Sequence, residues 1–134
     1  MRYPTKEEAI RINKSLAKPL EGIEASEPVY LRENALDYLL EVVDSEMMGK
    51  PLYPEVYQKA GIYLFNIIAD FVFTERNVPT AFAITLFFLQ HNGFRFKSSV
   101  PQESLSAFIN EIASGNVTLK EVQLWLKLQI EAAS

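Results

Sequence analysis

Four consecutive polar residues, Thr74-Glu75-Arg76-Asn77, interrupt the longest apolar region of the chain, which spans residues 59–93. A polar turn between two helices is a common frame for a site, because the second helix aims free backbone N–H groups and a positive dipole end into the gap. Glu75 and Asn77 offer oxygen ligands to a metal, and Arg76 offers one positive charge to an anion. The plainer reading makes Thr74 to Asn77 a solvated turn in which Asn77 caps the following helix. His91, the only histidine, falls at the exposed end of that helix, where a cation suits the dipole, and no catalytic role is assigned to it.

The whole chain bounds what such a site can do. Its 134 residues fit one domain, 1–134, and a composition of 49% hydrophobic and 22% charged residues is that of a folding chain. A net charge of −4 without any basic run argues against nucleic acid as a partner. The absence of cysteine excludes disulfides, thiolate catalysis and cysteine-bound metal. The first residues carry no signal-like apolar block, and the densest apolar run, 81–89, is about half a membrane span. A soluble, cytoplasmic protein with no membrane partner is expected.

The elements that must position the polar turn are helices. Thr5 with Glu8 and Thr118 with Glu121 form capping-box patterns that open a first helix over about 6–18 and a last one carrying Val122, Trp125, Leu126 and either Leu128 or Ile130 inward. Pro19 and Gly22 close the first helix, and 21–28 reads as an acidic loop. A second helix is predicted over 31–48, with Leu36, Leu39, Leu40, Val43 and Met47 buried and Gly49 as its stop. Pro54 starts a third whose apolar residues continue through Phe71 and Val72 on nearly every turn, which marks it as central. A fourth covers about 79–92, a fifth opens at Pro101, and Phe94-Arg95-Phe96 is too short an extended segment to seed a sheet. The phenylalanines from Phe65 to Phe96 read as core packing, and the pair Met47-Met48 as either gap-filler or partner surface. The sum is an all-α, compact bundle of about six helices.

The segment 59–83 resembles the core of the Fic/Doc (death-on-curing) family, which typically reads K-A-A-x-L-L-F-x-x-x-x-x-H-P-F-x-D-G-N-K-R-T-A-L-A. Lys59, Ala60, Leu64, Phe65, Phe73, Asn77, Thr80, Ala81 and Ala83 match in register. LFFLQHNGF is similar to the family's helix ending in N-G-Y/F, IASGNVTLKEVQLWL to the closing pattern of the Doc branch, and Arg32 to Leu36 loosely to its R-x-x-x-L-L-E-S-A-L segment. The resemblance spans about 5–130 and implies a Doc-like helical fold.

It also implies an activity, transfer of a phosphoryl or nucleotidyl group to a protein hydroxyl, with a histidine as base, an Asp or Glu holding Mg²⁺, and Gly, Asn and basic residues cradling the nucleotide. In this chain the histidine position is Phe71, the proline position Val72, the glycine position Arg76, and the two basic positions Val78 and Pro79. Phe71 accepts no proton at any pH, and a general base is worth roughly a hundredfold to ten-thousandfold in rate. Arg76 crowds the backbone approach, and Pro79 removes one N–H. What survives is a vestigial nucleotide or anion site, Glu75, Arg76, Asn77 and Thr80, with Glu75 as the metal ligand if one binds. Phe71 and Phe73 face the place of the nucleotide and are expected to fill it.

The resemblance therefore implies a catalytically degenerate Doc-like protein that binds another protein, in a toxin–antitoxin or phage-related setting, with no cofactor. Family members receive an extended partner segment in a groove beside the site. The alternative is a transferase with an altered site using Mg²⁺ and ATP or another nucleotide.

Overall fold

The computed structural model describes residues 1–16 and 32–133, so the expected loop 21–28 and the stop at Pro19 and Gly22 lie outside the described residues. Within them the architecture is all-α: α1 (Lys6–Ser15), α2 (Glu33–Val42), α3 (Val56–Ala69), α4 (Asn77–His91), α5 (Gln102–Ala113) and α6 (Leu119–Gln129). Two small antiparallel ribbons accompany them, β1 (Glu46–Met47) with β2 (Lys50–Pro51), and β3 (Phe94–Phe96) with β4 (Ile130–Ala132). No helix among the described residues is long and apolar enough to cross a membrane.

Both predicted capping boxes close as expected, Thr5 with Glu8 and Thr118 with Glu121. α3 lies at the centre, with Ala60, Ile62, Tyr63, Leu64 and Ile67 all within 1% of complete burial, as its apolar residues on nearly every turn require. Gly61 lets α6 pass close by, because a Cβ there would meet Gln123 Cγ at 2.5 Å.

The second helix is shorter than its periodicity suggests. α2 ends at Val42, where Ser45 Oγ donates to the Val42 carbonyl at 2.7 Å and Lys59 Nζ to that of Val43 at 3.0 Å. Those donors satisfy the terminal carbonyls and let the chain turn away. Met47, expected in the core, sits instead in β1 and is 63% exposed. Met48 and Gly49 form the turn between β1 and β2, both at positive φ (53° and 79°), the backbone of a two-residue hairpin loop. Met48 is fully solvent-facing, so neither methionine fills a gap.

In the last helix Leu128 faces solvent rather than inward, and Ile130, just past the end of α6, pairs with Phe96. The short Phe94 to Phe96 segment thus acquires a strand partner from the end of the described chain.

A polar cluster sits under the N-terminal segment. Tyr3 donates its hydroxyl to Asp44 at 2.9 Å, and the Lys59 ammonium, 5% exposed, lies 5.4 Å from the centre of the Tyr3 ring. Burial pushes Lys59 below its ordinary value while the Asp44 charge acts the other way. Burial, then the Asp44 bond, raises the Tyr3 phenol to about 12. Tyr63 is fully buried and its hydroxyl has no hydrogen-bond partner among the described residues. An unmet buried hydroxyl costs about 1–3 kcal/mol, so Tyr63→Phe is expected to raise stability by about 1 kcal/mol, measured as a higher urea midpoint.

Candidate functional site

The knot between α3 and α4 begins with a turn that the apolar spacing hid. α3 closes at Asp70, the Phe71 N–H donates to the Ile68 carbonyl, and the Val72 N–H donates to that of Ile67, both at 3.4 Å. This pair of bonds is the Schellman arrangement, which places a left-handed residue just past the helix, usually glycine. Here that residue is Phe71, at φ 48° and 58% exposed as a residue. Val72 and Phe73 then turn inward and are completely buried.

The expectation that Phe71 and Phe73 jointly fill a nucleotide space is thus corrected: one points to solvent and the other belongs to the core. Left-handed backbone costs a residue bearing a Cβ roughly 1–2 kcal/mol. Phe71→Gly is therefore expected to stabilise the fold by about 1 kcal/mol, with a higher melting temperature as the check.

Asn77 does not cap α4. The N-cap is Arg76, at φ 65°, with no side-chain cap bond, and Asn77 is the first helical residue. Its amide instead clamps the knot, accepting from the Phe73 N–H at 2.9 Å and donating to the Phe73 carbonyl at 2.9 Å. This side chain pairs with backbone as a neighbouring strand would, which explains why the position requires both a donor and an acceptor.

Arg76 and Thr80 are tied to α1 through Asn13, a residue the sequence reading passed over. Asn13 is 1% exposed and donates its amide to the Glu75 carbonyl at 3.1 Å and to the Thr80 hydroxyl at 2.9 Å. Its own backbone carbonyl accepts from Arg76 Nε at 3.2 Å. Spacing held the clue, since Asn13 follows the buried Ala9 by one helical turn and must face the same interior.

The remaining charge is paired at the surface. Arg76 Nη1 lies 2.5 Å from Glu75 Oε1, with the Glu75 side chain 62% exposed and that of Arg76 only 14% exposed. Among the described residues, no three His, Cys, Asp or Glu side chains come together as metal ligands. The structure brings the four predicted residues of the vestigial site together, yet three of them already serve the fold. The set does not fit a magnesium nucleotide: one carboxylate faces its own arginine, the Asn77 amide is spent on Phe73, and Val78 and Pro79 in the first turn of α4 carry no charge.

Those two apolar residues open a groove instead. Val78, Pro79 and Phe82 of α4 face Leu105 and Ile109 of α5 across a volume of about 520 Å³. His91 lies at the exposed end of α4 with Nδ1 2.8 Å from the Phe87 carbonyl, remote in sequence from the knot. No family model matches the chain, and no curated protein matches it.

Proposed function

We propose that this chain is a catalytically degenerate Doc-like protein of the Fic fold, acting in the cytoplasm by binding another protein rather than by group transfer. The observation that carries this reading is Phe71: where the resembled family has its proton acceptor stands a phenylalanine, 58% exposed and on left-handed backbone. The engagement of Asn77, Arg76 and Thr80 in structural bonds supports it, because each would have to release a fold contact to meet a phosphate. The groove beginning at the first turn of α4 supports it too, because none of its lining residues is ionisable and none could offset the charge of a phosphate. The resemblance places such a protein in a toxin–antitoxin or phage-related setting.

The test is a transfer assay with labelled ATP, Mg²⁺ and a candidate protein acceptor, run with the wild type and Glu75→Ala. No label on any acceptor is the expected result. Label transferred by the wild type and lost in Glu75→Ala would overturn the reading in favour of an altered transferase.

A further inference from the structure

The C-terminal end of α4, about 20 Å along the helix from the knot, carries a second polar arrangement. Residues 2–4 cross it as a strap without regular secondary structure, and no backbone–backbone hydrogen bond ties them to other described residues. Side chains fasten them instead. The Asn92 amide accepts from the Arg2 N–H and donates to the Arg2 carbonyl, both at 2.8 Å. Arg2 reaches Glu8 at 2.6 Å, and Pro4 is buried. Between them the Tyr3 ring stacks 6.0 Å from that of Phe88 and 5.4 Å from the Lys59 ammonium, with its hydroxyl on Asp44.

Water would serve the lysine under the strap better than the closed fold does. An ammonium has three N–H donors, yet Lys59, 5% exposed, makes one hydrogen bond among the described residues, to the Val43 carbonyl at 3.0 Å. Burial disfavours its charge, and the Asp44 carboxylate offsets that only in part. Lifting the strap returns water to this ammonium, so opening costs less than the contacts of the strap alone would require. The helices need not follow. α1 keeps its own start through the box of Thr5 and Glu8, which leaves Thr5 as the fixed end from which residues 2–4 swing.

We propose that residues 2–4 lift as a strap while the helices stay folded, and that Lys59 is the modification site they uncover, acylated there by a thioester. The free amine of Lys59 attacks the acyl carbon, the amide C–N bond forms, the C–S bond breaks, and the thiol leaves with the proton that the amine gives up. The product carries no charge, so the contact between the Lys59 cation and the Tyr3 ring is lost and the strap closes less tightly. Modification thereby favours the open strap. The strap lies away from the knot, so the proposal stands whether or not the knot binds nucleotide.

The experiment incubates the intact protein with the acetyl thioester of N-acetylcysteamine and follows acetylation of Lys59, and of the exposed Lys120 as reference, by peptide mass spectrometry. Lys59 is expected to react in the wild type, more slowly than Lys120 because the strap must lift first. Asn92→Ala and Tyr3→Phe each remove bonds that fasten the strap and are each expected to speed Lys59 about fivefold or more, with Lys120 unchanged. Phe73→Ala weakens the fold at the far end of α4 and is expected to leave the Lys59 rate as it is, since a local opening does not follow global stability. Circular dichroism checks that the variants are folded, and Tyr3→Phe, which keeps the ring, serves even if Asn92→Ala does not fold. No acetylation of Lys59 in any variant while Lys120 reacts would overturn the proposal. So would a Lys59 rate insensitive to both strap variants, or one raised by Phe73→Ala, which would make unfolding of the whole chain the route to Lys59.

Discussion

Replacing Asn13 by alanine is expected to lower the unfolding free energy by about 3 kcal/mol, read by urea titration. The side chain is buried and donates to two acceptors, the Glu75 carbonyl and the fully buried Thr80 hydroxyl. Truncation leaves both without that donor, at about 1–3 kcal/mol for the buried Thr80 hydroxyl and less for the part-buried Glu75 carbonyl, to which the loss of buried side-chain packing adds. The backbone carbonyl that holds Arg76 Nε survives the substitution, so the loss belongs to the amide alone. Arg11→Ala, an exposed change on the same helix, is expected to stay within about 0.5 kcal/mol. If Asn13→Ala were equally mild, α1 would not be what holds the knot against α4.

Phe73→Ala should cost more, about 3–5 kcal/mol, because its ring is completely buried and the space left behind collapses only in part. The Asn77 clamp bonds the Phe73 backbone, not its ring, so those two hydrogen bonds persist in the variant and the loss reports packing. Phe71→Ala, two residues earlier, is the matched control. Its ring is largely exposed, so little apolar area returns to water and stability should change by less than about 1 kcal/mol. Urea midpoints of the two variants decide the matter. Equal losses would mean that Phe71 packs as Phe73 does, and the account of the knot would be wrong.

Much of the fold could be read from local patterns. The capping boxes at Thr5 and Thr118, the central position of α3 and the place of the knot each follow from residues within one or two helical turns of one another. What escaped depended on distant partners. Apolar spacing runs on through Met47, but Lys59, sixteen residues beyond Val43, takes the carbonyl that marks the end of α2. The pairing of Phe96 with Ile130 is likewise invisible to any window along the chain.

In the site, the expected cap role of Asn77 is corrected, since the cap falls to Arg76 in left-handed backbone and the amide turns back to Phe73. Phe71 continued the apolar spacing of α3, yet the turn that ends the helix carried it outward. Asn13 was legible in principle, as a polar residue one turn past a buried alanine, but its partners lie 62 and 67 residues away.

The most direct test of the proposed loss of nucleotide binding is calorimetric titration of the purified protein with ATP and with GTP, each with and without Mg²⁺. No binding heat at millimolar nucleotide is predicted, because Arg76 faces Glu75, Asn77 is held by Phe73, and Val78 and Pro79 offer no charge to phosphate. Saturable binding that needs Mg²⁺ and disappears in Glu75→Ala would contradict the account and return the site to nucleotide chemistry.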